Sequence, residues 1–388
     1  MSRLEELISQ YCPNGVEYRK VRDIADYEQP SKYLVKSTDY NDNFEIPVLT
    51  AGQTFILGYT NEKEGIYNAS PEEPVIIFDD FTGAFKWVDF PFKAKSSAMK
   101  MITSKSDVLI RYLYHLMGFL NYSSDEHKRL WISVYSELQI PVPPLEVQCE
   151  IVHILDNFTE LTAELTAELT ARKKQYEFYR DKLLTSNRNI KTVKLGDVCT
   201  FVRGPFGGAL KREIFTTEGY AVYEQQHAIY RNLDFRYHID KNKFSELKRF
   251  AVNPGDMIVS CSGTIGKTFV IPQNAPEGVI NQALLKLTPN EELNVFYLQY
   301  FFENTISKVL NGVARGGAIK NVPSVSELKL IELPLPSLSV QKKLVNVLDN
   351  FESICTDLNI GLPAEIEARK KQYEYYRDKL LSFKELPK

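Results

Sequence analysis

The sequence predicts an α+β protein: two globular heads separated by two long antiparallel helices that pair as a coiled coil, in a pseudo-twofold internal duplication. Three observations carry this reading. The stretch ARKKQYEFYRDKLL at 171–184 returns as ARKKQYEYYRDKLL at 368–381, broken only at Phe178 against Tyr375. PVPPLEVQ at 141–148 answers PLPSLSVQ at 334–341, and LDNF stands at both 155–158 and 348–351. Ahead of each copy lies a longer stretch sharing little with its counterpart beyond VRDI at 21–24 against LGDV at 195–198. The copies are offset by 193 residues at first and by 197 later, so the second helical stretch holds four extra residues. Self-similarity on this scale marks a duplicated scaffold that carries two divergent surfaces.

Taken in order, residues 1–143 form the first head, 144–187 the first long helix, 188–336 the second head and 337–384 the second long helix. A chain of 388 residues exceeds one ordinary core, and heads of about 140 residues fall in the usual domain range. Within the heads, 73–78, 256–260 and 284–287 read as strands, and 108–120 and 294–310 as helices. In the first long helix Val147, Ile151, Ile154, Phe158, Leu161 and Leu165 recur in steps of three and four, and Tyr176, Tyr179 and Leu183 resume the stripe. Its counterpart runs through Val340, Leu344, Val347, Phe351, Ile354 and Leu358, then Ile366, Tyr373, Tyr376 and Leu380. Both are amphipathic helices, and two such stripes bury each other most economically as an antiparallel pair. Pro144 and Ser337 suit the helix starts, after extended Pro-rich segments. Gly361-Leu362-Pro363 interrupts the second helix and predicts a kink, or a break and restart. The first helix instead carries TAEL twice, at 162–169; each unit adds about 6 Å and a rotation of roughly 40°.

Composition excludes more than it assigns. The net charge is −3; residues 192–330 hold 16 Lys+Arg against 13 Asp+Glu, whereas 1–143 hold 15 against 20. Nucleic-acid binding by the first head would therefore rest on local placement of its basic groups. Without an apolar run of about 18 residues or a leader-like start, the expectation is a cytoplasmic protein with no membrane contact. Five cysteines without CxxC spacing read as reduced thiols, and the dispersed histidines offer no metal site. Gly263-Thr-Ile-Gly-Lys-Thr268 is like the end of a P-loop, but Cys261 stands where that pattern needs glycine. Asp79-Asp80 lacks the Glu-x-Lys of a nuclease cluster and reads as a solvated turn. No catalytic role and no cofactor of its own are expected.

A variable head, a PxPP-L-x-x-Q…ARKKQYExYRDKLL block, a second variable head and the same block again resemble the specificity (S) subunit of a type I restriction-modification system. The TAEL tandem is similar to the repeat of one branch of that family. The resemblance covers the architecture of the whole chain, while its specific motifs lie in the two helical blocks. It implies that each head is a target recognition domain reading one half of a bipartite site in double-stranded DNA, with the helices setting the unread gap. Grooves about one helical turn, near 34 Å, apart fit that arrangement. It further implies two methyltransferase (M) subunits holding S-adenosylmethionine, and restriction (R) subunits using ATP and Mg, all outside this chain.

The candidate DNA contacts follow from residue type. Ser262, Gly263, Thr264 and Lys267, with Asn281 and Gln282, offer a Gly-rich loop, a lysine and two amides suited to phosphates and base edges. Arg315, Gly316, Gly317 and Lys320 form a second loop whose glycines let backbone approach DNA. Arg203, Lys211 and Arg212 form a third group. The first head offers Thr50, Gly52 and Gln53, then Thr82, Gly83 and Lys86, with Lys93, Lys95 and Lys100 nearby, and has no basic Gly-rich loop as clear as 315–320. A surface turn with solvated charge is the competing reading of each. Tyr176, Tyr179, Tyr373 and Tyr376 read as helix packing rather than base stacking. The Arg-Lys-Lys runs at 172–174 and 369–371 stay open between spacer phosphates, M docking and plain solvation. Two other functions compete: a coiled-coil adaptor whose heads bind proteins, and a self-sufficient modification enzyme. DNA specificity is distinguished by affinity that falls steeply with salt while site preference persists. If the helices act as a ruler, one TAEL unit added after Leu169 lengthens the gap by about one to two base pairs, since about 6 Å of helix meets about 3.4 Å per pair. Sequencing of methylated sites reads this directly, and an unchanged gap would sink the ruler.

Overall fold

The computed structural model describes residues 3–52, 54–120, 129–185, 190–206, 208–313 and 323–387. The chain divides into two units, and each draws on both long helical stretches: Met1–Ala167 with Ala364–Lys388, and Glu168–Pro363. No helix among the described residues is long and apolar enough to cross a membrane.

In the first unit the order is α1 (Arg3–Tyr11), β1 (Glu17–Lys20), α2 (Val21–Ile24), β2 (Ala25–Glu28), β3 (Ile46–Leu49), β4 (Ile56–Thr60), β5 (Val75–Asp79), β6 (Phe85–Val88), β7 (Lys93–Ala94), β8 (Met99–Ser104), α3 (Ile110–Leu120), α4 (Leu130–Ser133), β9 (Gln139–Val142) and α5 (Leu145–Leu184), of which the part beyond Ala167 belongs to the second unit. The second unit continues with β10 (Thr192–Lys194), α6 (Leu195–Val198), β11 (Cys199–Arg203), β12 (Tyr220–Tyr223), α7 (Gln225–Tyr230), β13 (His238–Ile239), α8 (Lys241–Glu246), β14 (Met257–Ser260), β15 (Thr268–Val270), β16 (Gly278–Ile280), β17 (Leu284–Pro289), α9 (Val295–Val313), α10 (Val325–Lys329), β18 (Glu332–Pro334) and α11 (Leu338–Thr356). The last helix, α12 (Leu362–Leu380), returns to the first unit.

The heads share one topology although their sequences do not align. The first has a sheet ordered β2-β8-β5-β6 and a second ordered β4-β3-β7; the second head has β11-β17-β14-β15 and β13-β12-β16. The larger sheets are antiparallel throughout. In the smaller ones the middle strand pairs antiparallel with one neighbour and parallel with the other. The ladders β1–β9 and β10–β18 join the start of each head to its end.

A sandwiched centre explains the strand sequences. β5 is an unbroken apolar run because both its faces are covered: Ile76 and Phe78 join Trp131, Tyr135 and Leu113, while Val75 and Ile77 join Val88, Phe92 and Met101. β14 divides in the same way, with Met257 and Val259 toward Leu298 and Phe302, and Ile258 toward Tyr223 and Ile280.

The long helices pack on the heads as well as on each other. Val147, Ile151 and Leu155 are completely buried in the first unit's core, and Leu184, Val345 and Leu348 are buried in the second's. In the first unit α12 runs antiparallel to α5, with Phe158 stacked on Tyr376 at 5.2 Å; in the second, Tyr179 meets Phe351 at 6.3 Å. Tyr373 donates to or accepts from His115 Nδ1 at 3.0 Å, and His115 Nε2 meets Asp156 Oδ1 at 2.9 Å. Burial holds that imidazole below its ordinary pKa against the pull of Asp156. At the corresponding place in the second unit, Tyr300 donates to Asp349 at 2.6 Å and Glu352 at 2.8 Å.

The interruption at Gly361 is a break and restart. Asp357 ends α11 by accepting the backbone N–H groups of Asn359 and Ile360, and a Cβ on Gly361 would meet Ser353 O at 2.6 Å. Pro363 then sits in the first turn of α12, where its missing N–H is no loss.

Gln148 and Gln341, the glutamines of the repeated block, are both completely buried. Gln148 accepts from Leu109 N (2.9 Å) and donates to Asp107 O (3.1 Å) and Pro143 O (2.8 Å). Gln341 accepts from Asn294 N (2.8 Å) and donates to Glu292 O (2.9 Å) and Pro336 O (2.8 Å). Truncation strands those backbone groups, so Gln148→Ala is expected to destabilise its unit by roughly 2–4 kcal/mol. Hydrogen exchange checks this: protection should fall at Leu109 and the start of α5, while Asn294 and the start of α11 stay protected.

Candidate nucleic-acid interface

Four chain segments converge at one edge of the second head, because four strands end there. Arg203 closes β11, and the next residue, Gly204, donates to Leu284 O at 2.9 Å. That approach admits no side chain: a Cβ on Gly204 would lie 1.8 Å from Asn281 O. Asn281 follows β16, donates through its N–H to Tyr223 O at 2.9 Å, and accepts Ala283 N at 3.0 Å on its side-chain oxygen. Cys261, just past β14, donates its N–H to Ala283 O at 2.9 Å. Burial pushes the Cys261 thiol up to about 11, and the adjacent Arg203 pulls it down by charge and hydrogen bond, which places the guanidinium at this edge.

The 261–267 loop closes on itself. Ser260 Oγ donates to Thr264 O at 2.7 Å and accepts Lys267 N at 3.0 Å, and Gly263 and Gly266 turn the chain at φ 63° and 76°. Ser262 Oγ donates to Gln225 Oε1 at 2.8 Å, linking this loop to the segment after β12. Beside it Glu224 is occupied by Arg236, through bonds of 2.7 and 2.9 Å. The edge thus presents Arg203, Gln225, Ser262, Gly263, Thr264, Lys267, Asn281 and Gln282. Phe206, two residues beyond Gly204, is 96% exposed.

Topology transfers this edge to the first head. The corresponding segments are Gln29 after β2, Thr50–Gly52 after β3, the β5–β6 turn, and 95–98 between β7 and β8. Lys95 N donates to Leu49 O and Asp80 N to Ala98 O, each at 3.0 Å, so these segments meet as well. Thr50 Oγ1 donates to Thr54 O at 2.6 Å and accepts Gly52 N at 3.2 Å. Asp79 Oδ1 gathers Phe81 N, Thr82 N and Thr82 Oγ1 into the turn, with Gly83 at φ 74°. Lys86 is half-buried one residue inside β6.

Several sequence expectations change here. Lys93 and Lys100 do not face outward: Lys93 Nζ meets Glu62 at 2.8 Å and Glu64 O at 2.6 Å, and Lys100 meets Asp80 at 3.0 Å with both side chains fully buried. Asp80 is accordingly no solvated turn residue. Its Oδ1 accepts Trp131 N at 2.8 Å, and its Oδ2 has the Lys100 ammonium as ion-pair partner without an aligned hydrogen bond. Gly83 is buried and shapes the turn. Lys211 and Arg212 are exposed but stand beside a short turn whose Ile214 packs on the smaller sheet with Val222 and Val279. Gln53, Arg315, Gly316, Gly317 and Lys320 lie outside the described residues. Sequence reading missed Gln225, Phe206 and Ser96-Ser97; a Gln-Gln pair one residue past the strand at 220–223 was the signal for the first. No metal-ligating cluster occurs among the described residues.

Comparison with known proteins places this geometry in context. The family model for the type I restriction modification DNA specificity domain matches residues 13–172 and again 187–368. The specificity subunit of the type I restriction enzyme EcoR124I/EcoR124II of Escherichia coli is 40% identical, over 99% of this chain and 97% of its own length. A putative type I specificity subunit of Haemophilus influenzae is 31% identical over 95% and 96% respectively. Among solved structures, the S subunit from M. genitalium has a TM-score of 0.54 at 14% identity, covering 95% of this chain and 96% of that one. The HsdS subunit from Thermoanaerobacter tengcongensis has a TM-score of 0.51 at 15% identity, covering 96% and 97%; at such identities the likeness is one of fold.

The buried pair and the exposed lysine should respond differently to truncation. Lys100→Ala leaves Asp80 charged and unpaired, and is expected to cost about 3–5 kcal/mol in denaturant unfolding. Lys267→Ala should leave stability within about 0.5 kcal/mol. Equal stability losses would overturn the assignment of Lys100 to the interior.

Proposed function

This chain belongs to the type I restriction-modification DNA specificity family, and we propose that its two heads each read one half of a bipartite DNA site while the helices set the gap. It is a specificity subunit and is not itself catalytic. The half-site reading is carried by one observation: the same four strand ends converge in both heads and carry unlike side chains.

In the second head Arg203 and Lys267 suit phosphates, and the amides of Gln225, Asn281 and Gln282 suit base edges, where bidentate contacts to adenine are available. Phe206 supplies an apolar surface of the kind that covers a thymine methyl. The first head relies on Gln29, Thr50, Thr82, Lys86, Lys95, Ser96 and Ser97, a set richer in hydrogen-bonding groups than in charge. The chain works with two M subunits holding S-adenosylmethionine and with R subunits using ATP and Mg; family membership supports this. The doubled TAEL supports placement in the TAEL branch. A role on DNA supports a cytoplasmic location for the chain.

Methylation-site sequencing in cells expressing this chain with its adjacent M subunit tests the reading. One asymmetric bipartite motif is expected. Asn281→Ala and Gln225→Ala should relax one half of it at a cost of about 1–3 kcal/mol in discrimination and leave the other half unchanged. Lys267→Ala should weaken binding to all sequences and reduce the salt slope by about one. No motif, with M active alongside a different S chain, would refute the proposal.

A further inference from the structure

Glu303, on α9, ties together the two segments that carry Gln225 and Lys267. Its Oε1 accepts Thr268 Oγ1 at 2.6 Å and Thr268 N at 3.2 Å, and Arg231 Nη2 donates to both carboxylate oxygens, at 3.0 and 3.2 Å. Thr268 is fully buried and directly follows Lys267. Arg231 caps α7, the helix that Gln225 begins, by donating its N–H to His227 O at 3.0 Å. Arg231 Nε also donates to Thr268 O at 3.3 Å, so the end of the 261–267 loop and the end of α7 meet on one carboxylate.

Stability alone does not account for this cluster. Among the described residues Arg231 is the one non-glycine residue with a positive φ, 52°, in a helix-cap conformation that favours glycine. An arginine there gives up backbone ease and gains the side chain that reaches Glu303. The ion pair is also partly open to solvent, with the arginine side chain 45% and the glutamate 29% exposed, and such pairs contribute little to stability. What the pair supplies is a fixed geometry.

The first head provides an internal comparison. Tyr112 and Tyr297 make corresponding bonds, to Pro141 O and Pro334 O, and six residues beyond them stand Gly118 and Glu303. β6 begins with Phe85 where β15 begins with Thr268. A Cβ on Gly118 would lie 3.8 Å from the Phe85 ring, which meets Tyr114 edge-on at 5.3 Å. Apolar packing therefore seats that strand against that helix. Among the described residues no helix stands between β3 and β4, whereas α7 stands between β12 and β13. The charged cluster thus occurs in the head that has a short helix to hold.

We propose that Glu303 is a positioning residue for base reading by the second head: it touches no DNA, and through Arg231 and Thr268 it holds Gln225 and Lys267 in place. This rests on the half-site reading above.

The test uses the complex of this chain with its adjacent M subunit and duplexes carrying the motif mapped by methylation sequencing, intact or with single base-pair changes. Gln225→Ala identifies the base pair that α7 reads. At that pair Glu303→Ala should lower discrimination by about five-fold or more, and in the half read by the first head it should leave discrimination within about two-fold. Thr268→Val, which removes only the hydroxyl, should share the loss, and Thr268→Ser should restore discrimination. In a Gln225→Ala background, adding Glu303→Ala should change discrimination at that pair by less than about two-fold, because the two act as one unit. Full discrimination in Glu303→Ala, equal losses in both halves, an additive loss in the double variant, or Thr268→Val and Thr268→Ser behaving alike overturns the inference and leaves half-site reading intact. No preference in the unsubstituted complex, or a Gln225→Ala complex that reads both halves unchanged, refutes the half-site reading itself and the inference with it.

Discussion

A head can present its loops in register only if the helix leaving it departs in one direction, and in each unit a single buried amide sets that direction. Gln148 joins the approach to α3, through Asp107 O and Leu109 N, to the turn before α5, through Pro143 O. An amide offers two donors and two acceptor sites, so one side chain satisfies three backbone groups that would otherwise be stranded in the core. Each stranded group would cost about 1–3 kcal/mol, which exceeds what a single apolar substitute of similar size returns at this site. Tyr112 reinforces the joint by donating to Pro141 O at 3.1 Å, and Tyr297 does the same toward Pro334 O at 2.9 Å. PVPPLEVQ and PLPSLSVQ agree at five of eight positions, and the glutamine is among them because it carries this joint.

Beyond the joint, the heads diverge without changing topology. A central strand covered on both faces asks for apolar residues along its length, so VII in β5 and MIV in β14 serve equally. The strand ends ask for less still, since their loops need only begin and finish in the right places. Gly204 shows the exception: its contact with Asn281 O leaves no freedom at that position. Side-chain variety therefore accumulates at the strand ends, where a rigid scaffold presents it.

That pattern also decides what could be read in advance. The helical stripes, the break at Gly361 and the mixed character of the heads were legible, because periodicity and proline geometry are local properties. The common topology was not, since it resides in pairings between strands far apart in sequence, such as β3 with β7, whose partners carry no matching motif. Lys93 and Lys100 were misread for a related reason. A lysine in a two- or six-residue strand looks the same whether it faces solvent or carboxylate, and Glu62 and Asp80 lie 31 and 20 residues away from their partners. The Gly263 and Gly266 loop was found, but its link to Gln225 became visible only once α7, which follows β12, was placed against β14.

The buried ion pairs bear on how the two heads can bind. At 3.0 Å the Lys100–Asp80 attraction is about 5 kcal/mol at an effective dielectric of about 20, and desolvating the two ions costs several kcal/mol each, so the pair adds little net stability. Its contribution is positional: Asp80 also holds Trp131 N and, through its backbone, Leu130 N and Ala98 O, tying the β5–β6 turn to the neighbouring segments. The second head also buries such a pair, Lys286 and Asp256 at 3.4 Å, but at the opposite end of its central strand, before β14. These lysines are withdrawn from the surface charge that attracts phosphates. The first head, already the more acidic, gives up two in this way, whereas the exposed Arg203 and Lys267 of the second remain at its strand-end edge. Each such pair removes one charge of either sign, so the bulk balance of the heads stands, and by that balance long-range attraction to a polyanion would favour the second.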